Sequence, residues 1–211
     1  LGKLDKQKRQ DSKEYALGVP YGMTGYALAK TLDISIAKGE ELVKNYLSSY
    51  PSLNKWMDLS KRQAQTKGFV VSELGRIRHL PKVKKLHKIY GEKLLDYKYR
   101  NFLKKRMDKK EIFMMYMDYK NGVNNSRNFQ IQSMSASIVN RAAIAINREF
   151  IKLEINAWCC AQVHDQLIFN IPDKDYKKCS EIVERLMSST TKLSVELKAP
   201  AKSSKNWRDG H

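Results

Sequence analysis

The chain of 211 residues carries 40 Lys and Arg against 22 Asp and Glu, a net charge of +18 with a pI near 9.8. It is long enough to bury about 70% of its unfolded surface, as one domain or two tightly joined pieces, and its cations point to an anionic partner. They spread along the whole chain instead of forming one amphipathic membrane helix, so nucleic acid fits best and a membrane partner is not expected.

Leu1 stands where a Met would begin a complete product, so the expectation is a chain that begins inside a longer one. Arg9, Lys13, Leu17 and Tyr21 follow at intervals of four, which on a helix makes one face drifting by about 40° per step. Two cations then point one way. Pro20 removes a backbone donor and biases Val19 away from helix, and with Gly18 and Gly22 it should end or kink the helix, leaving Tyr21 at the hinge.

Apolar residues from Ser35 to Tyr50 (Ile36, Leu42, Val43, Tyr46, Leu47) form a helical stripe, and Pro51 starts another helix that Gly68 should close. Phe69 to Leu74, then Gly75, then Arg76 to Leu80 reads as a β-hairpin ending at Pro81. Arg76 and Arg78 are in a position to touch phosphate. From Lys82 to Lys110 there are twelve Lys or Arg against three acidic residues, interleaved with Tyr90, Tyr97, Tyr99 and Phe102. This mixture suits a nucleic-acid backbone with occasional base stacking; the competing reading is a solvated helical insertion. Asn121-Gly122 is expected to end the segment as a turn.

A long helix is predicted from about Ser126 to Leu153, with Ile131, Met134, Ile138, Ala142, Ala145, Ile146 and Phe150 on its buried side. Asn128 and Gln132 sit one turn apart on a neighbouring face, and two amides at that spacing can donate to minor-groove acceptors of any base pair. Next comes AQVHDQLIFNIP, Ala161 to Pro172, which reads as two short strands around His164, Asp165 and Gln166. Taken alone, its Asp could serve turn chemistry; equally, a carboxylate at such a bend can reach a metal or substrate. Asp173 is the expected N-cap of a helix striped by Tyr176, Cys179, Ile182, Val183, Leu186 and Met187 and ending near Thr190. A last strand, Leu193 to Leu197, should lead into a polar tail. Cys159, Cys160 and Cys179 lack CxxC spacing, which argues against a disulfide framework or a zinc site and for a reducing compartment. With no signal peptide and no apolar run near 18 residues, a cytoplasmic, intracellular setting is expected.

The string R-xxx-K-xxx-L-G-xx-Y-G at Arg9 to Gly22 resembles the nucleotide-binding helix of family A DNA polymerases, the DNA polymerase I family. YPSLNKWM at 50–57, GRIRHLP at 75–81, NFQIQS at 128–133, QVHD at 162–165 and the terminal NWRDGH resemble later landmarks of that family in the same order. The resemblance covers residues 9–81 and 126–211. It implies an α+β chain, mostly helical polymerase fingers with part of an antiparallel palm sheet, an incomplete right-hand fold. The expected division is 1–67 fingers helices, 68–81 hairpin, 82–121 basic aromatic insertion and 122–211 C-terminal palm.

The resemblance also implies roles. Arg9 and Lys13 would hold the incoming dNTP, with Lys13 donating a proton to leaving pyrophosphate; Leu17 and Tyr21 would complete the nucleotide site. Tyr21, Gly22, Asn128, Gln132 and His164 would contact primer-template DNA. Asp165 would bind the catalytic Mg2+, two ions in all. Leu17 replaces the family's usual Phe or Tyr, Pro20 is unusual inside the motif, and Gln166 replaces a usual Glu. The family's first metal-binding Asp lies upstream of Arg9 and is not in this sequence, and one carboxylate cannot hold two magnesium ions against their hydration. The implied function is the C-terminal portion of a DNA-directed DNA polymerase, inactive as this chain alone and requiring an N-terminal portion in cis or as a separate chain, in a bacterial or phage-infected cell. A non-catalytic DNA-binding remnant is the alternative. An RNA-templated or RNA-making enzyme stays open while the steric-gate residue is out of view.

Overall fold

A computed structural model describes residues 12, 13 and 15–206. The chain divides into two compact units, Leu1–Ile131 and Gln132–His211.

The first unit opens with helical residues 12, 13 and 15–18 and a turn over 19–22. Then come α1 (Gly25–Leu32), α2 (Ile36–Ser49) and α3 (Pro51–Lys67). Thr24 and Ser35 cap α1 and α2, each accepting from the backbone N–H three residues on. Pro51 starts α3 with its preset φ, and Gly68 stops it in the left-handed region. The α1 helix is an addition to the sequence reading. A short antiparallel hairpin follows, β1 (Phe69–Val71) and β2 (Ile77–His79), with Phe69 opposite His79.

Next are α4 (Pro81–Tyr90), a 3-10 turn (Gly91–Leu95) and α5 (Tyr97–Leu103), which Asp96 caps. The apolar residues of this basic stretch do not float on the surface. Val83, Leu86, Leu94, Leu103, Ile112 and Tyr119 are buried with Ala64, Val70, Leu80 and Val123 in one core. A polar network fastens that core to α3. Gln65 Nε2 donates to the Tyr119 hydroxyl at 2.8 Å and to Glu92 Oε1 at 3.1 Å, and Lys61 pairs with Glu92 at 3.0 Å. The Tyr119 hydroxyl lies 2.9 Å from His87 Nδ1, with the two rings stacked. Since the hydroxyl already accepts from Gln65, its own proton is available to His87 Nδ1. Burial raises the Tyr119 pKa, and the hydrogen bond from Gln65 opposes it. The hydrogen bonds from Gln65 and Lys61 hold Glu92 below the usual carboxylate range.

The longest element is α6 (Lys109–Lys152), and it corrects the expected turn at Asn121-Gly122, because the helix runs straight through both. A Cβ on Gly122 would collide with the Val83 side chain, so this glycine marks close helix packing instead of a turn. The helix therefore starts at Lys109 and not near Ser126. Ile131, expected in the core, is exposed, while Ser133, Ser137 and Val139 are buried.

In the second unit, Ala142, Ile146 and Phe150 of α6 meet Cys179 and Ile182 of α7 (Tyr176–Ser189). Between them lies the hairpin of β3 (Trp158–Val163) and β4 (Gln166–Asn170). Two further expectations are corrected here. Asp173 does not cap α7; it begins a 3-10 turn, Asp173–Asp175, and Asp175 occupies the cap position without a side-chain bond. Leu193 to Leu197 forms no strand: among the described residues each sheet has only two strands, and an extended segment without a neighbour has nowhere to place its backbone bonds. Val195 is 74% exposed, and the segment is held further on, where the Ala201 N–H donates to Glu184 at 2.7 Å.

Candidate active site

In the first unit, the helical residues that carry Lys13 and Leu17 are anchored from their other side. The Tyr15 hydroxyl donates to the Leu42 carbonyl at 2.6 Å, its ring meets Tyr46 edge-on at 5.1 Å, and Tyr46 donates to the Ala16 carbonyl at 3.2 Å. Burial raises the pKa of both phenols, with neighbouring tyrosines adding to it. Lys13 is left exposed, and Leu17 is 61% exposed. A cation beside an apolar side chain, both facing solvent, can meet a phosphate and a sugar at once. Arg9 lies outside the described residues.

The helix stops before Val19, as Pro20 requires, and Tyr21 sits half-buried in the turn. Gly22 holds φ +91°, and a Cβ there would stand 2.6 Å from Asn124 Oδ1 on α6. Only glycine accepts both that backbone and that contact. Asn128 follows Asn124 by one helical turn; it is half-buried, and its Oδ1 has no hydrogen-bond partner among the described residues. An unpaired buried amide oxygen is costly, so the group is one that a ligand or water would satisfy. The adjacent Arg127 packs inward, Nε donating to the Met57 carbonyl at 3.4 Å, and Gln130 donates to Ser60 at 2.8 Å. Burial lowers the Arg127 pKa, Asp58 opposing. These two bonds fix α3 against α6. Tyr15, Asn124 and Arg127 were not singled out from sequence; only Asn124, four residues before Asn128, left a spacing signal that could have found it.

In the second unit, Gln132 is exposed. Leu167, Phe169 and Ile171 alternate and therefore share a face, which packs on the core, with Phe169 edge-on to Phe150 at 5.7 Å. The pairing of Val163 with Gln166 closes a two-residue loop, so His164 and Asp165 alone make the tip and Gln166 belongs to β4. A bulge at Cys160 breaks the ladder between Cys159 and Ala161 and shifts the register of β3 relative to β4. His164 holds φ +54°, a region that costs a side-chain-bearing residue roughly 1–2 kcal/mol. Both tip residues are exposed. The core thus grips the hairpin by β4 and offers a carboxylate to solvent from a strained turn.

Asp165 fits magnesium as one hard oxygen donor. Among the described residues no group of three or more His, Cys, Asp or Glu could hold an ion, so these residues do not complete a metal site by themselves. No helix among the described residues is long and apolar enough to cross a membrane.

Comparison with known proteins gives a consistent picture. Residues 1–209 match the family described as DNA polymerase family A. The DNA polymerase I of Bacillus caldotenax is 26% identical over 201 residues, 95% of this chain and 20% of that protein. That of Treponema pallidum is 28% identical over 203 residues, 96% of this chain and 18% of that protein. The chain thus spans about a fifth of the length of these relatives. Among solved structures, the polymerase domain of Pol1 from M. smegmatis, in complex with DNA primer-template and dNTP, matches with a TM-score of 0.73 at 20% identity, over 93% of this chain and 30% of that one. This likeness establishes the α+β fold as that of part of a polymerase domain.

Proposed function

The chain belongs to DNA polymerase family A, and from that premise we propose that it is the fingers and C-terminal palm portion of a DNA-directed DNA polymerase. The reading divides it into fingers helices (1–67), a hairpin (68–81), a basic aromatic insertion (82–121) and the C-terminal palm (122–211). Its substrates are dNTPs and its partner is primer-template DNA. Arg9 and Lys13 bind the triphosphate, and Lys13 Nζ gives a proton to the leaving pyrophosphate, a role that suits an exposed cation on a firmly anchored helix. Leu17 lies against the sugar and Tyr21 beside the templating base, while Gly22, packed against Asn124, contacts the DNA through its backbone. Asn128 and Gln132 donate to the minor groove, and His164 faces the primer end.

The observation that carries the reading is the hairpin tip, where a packed strand presents Asp165 to solvent. Asp165 is one ligand of the catalytic Mg2+; the other carboxylate comes from an upstream segment in cis or from a separate chain. When bound, two such ions stabilise the entering and leaving oxygens of an in-line displacement. Primer extension with magnesium, using this chain alone and together with a segment that supplies the first aspartate, tests this. The chain alone should be inactive, the pair should extend, and Asp165→Ala should abolish extension by the pair. Normal extension by the Asp165→Ala pair overturns the ligand assignment. Leu17, Pro20 and Gln166 favour the alternative, a DNA-binding remnant without chemistry; that reading gains if the complemented pair binds primer-template yet never extends it.

A further inference from the structure

We propose that the segment from Tyr97 to Lys120 carries an accessory site for single-stranded nucleic acid, built from alternating cations and aromatic rings. The inference rests on the polymerase reading only for the class of partner. Lys104 Nζ lies 5.7 Å from the centre of the Tyr97 ring, and Arg100 lies 5.9 Å from the same ring. Arg100 also lies over Tyr116 at 4.0 Å, and Lys120 Nζ lies 5.6 Å from Tyr116. The order is therefore Lys104, Tyr97, Arg100, Tyr116, Lys120, three cations and two rings in one continuous row joining α5 to α6. Among the described residues none of these three cations is paired with a carboxylate. Arg100 donates instead to the Leu94 carbonyl at 2.7 Å and Lys104 to Asn101 Oδ1 at 3.0 Å.

Exposure falls along the row: Tyr97 and Lys104 face solvent, while Arg100, Tyr116 and Lys120 are half-buried. Tyr90 and Tyr99 pack on the core cluster, whereas Tyr97 is 65% exposed. An exposed ring held in place by cations loses little freedom when a base stacks on it, and the same cations meet the flanking phosphates. Duplex DNA offers phosphates but hides its base faces, so a mixed row of this kind favours a single strand. The Lys93–Asp108 stretch adds further positive charge around the row without neutralising it.

The test is fluorescence anisotropy of a labelled oligo(dT) with the full chain across a salt series. Tyr97→Leu, which keeps an apolar side chain but removes the ring, should weaken binding about tenfold, while Tyr97→Phe should bind like wild type. Lys104→Gln with Lys120→Gln should lower the salt slope by about 1.4, at roughly 0.7 per phosphate on a single strand. Lys177→Gln with Lys178→Gln, on α7, controls for charge alone and should change affinity less. Equal binding by Tyr97→Leu and wild type overturns the proposal, and so does an equal loss for a blunt duplex of the same length, which would mark a phosphate patch without stacking. Because these readouts are binding only, they stand apart from primer extension. Failure of the Asp165 test leaves them untouched, and failure here leaves that test untouched.

Discussion

His164 holds φ +54° at the tip of the β3–β4 hairpin, a conformation that histidine adopts more readily than a β-branched residue but less readily than glycine. The two-residue loop demands it, since the register Val163 to Gln166 leaves no third residue to absorb the reversal. His164→Gly removes roughly 1–2 kcal/mol of backbone strain but adds about 0.5–1 kcal/mol of unfolded-state entropy. Urea denaturation should therefore find this variant as stable as wild type, or more stable by up to about 1.5 kcal/mol. His164→Val should lose about 1–2 kcal/mol, because a branched side chain fits this region worst. A clear loss of stability in the glycine variant would show that the imidazole itself supports the fold. If stability holds while primer extension by the complemented pair falls, the side chain serves the primer end and the strain is what positions it.

At the scale of elements, Gly122 decides how closely α4 and α6 can pack. Gly122→Ala gains about 0.8–1.0 kcal/mol of helix propensity but forces a methyl into Val83, at a cost of about 1–3 kcal/mol. The net expectation is a loss near 1 kcal/mol by thermal or urea denaturation. In a Val83→Ala background the same change should become stabilising, because only the propensity gain is left. A stabilised single variant would mean that the helices yield at this contact. This residue also shows where sequence reading stops. Asn-Gly is a strong turn signal, and nothing local distinguishes a turn glycine from one that admits a neighbouring side chain. Elements bounded by their own chemistry were legible: Pro51 and Gly68 frame α3, and the alternation Leu167, Phe169, Ile171 gives β4 and its buried face. The start of α6 was not, since Asn121-Gly122 reads as a turn and cuts buried Ile112 and Tyr119 off from the helical stripe that follows. The strand at 193–197 failed for the converse reason: its alternation is local, but a strand exists only with a partner. At the site, the spacing of Lys13, Leu17 and Tyr21 and the His164-Asp165 pair could be read directly. Their supports, Tyr15 on Leu42 and Asn124 beside Gly22, depend on residues 27 and about a hundred positions away.

At the scale of the molecule, α6 takes part in two different cores. Ile112, Tyr119 and Val123 belong to the first, and Ala142, Ile146 and Phe150 to the second. A helix in water is only marginally stable by itself, so each stretch of α6 draws its stability from the core it serves. Phe150→Ala removes a fully buried ring that also meets Phe169, and should cost about 3–5 kcal/mol, a large share of the roughly 5–15 kcal/mol typical of a whole domain. That cost should fall on one core alone. Amide hydrogen exchange is expected to quicken around Ala142–Phe150, β4 and α7, while amides near Ile112–Val123 and Val70 keep their protection. One continuous helix would then show two stabilities along its length. A uniform loss of protection along α6 would instead mean that the cores open as one cooperative unit. The distinction bears on function, because the proposed nucleotide-facing residues Lys13, Leu17 and Tyr21 belong to the first unit and Asp165 to the second. If the second core can loosen while the first stays closed, Phe150→Ala should impair the Asp165 hairpin and leave oligo(dT) binding by the Tyr97 row unchanged.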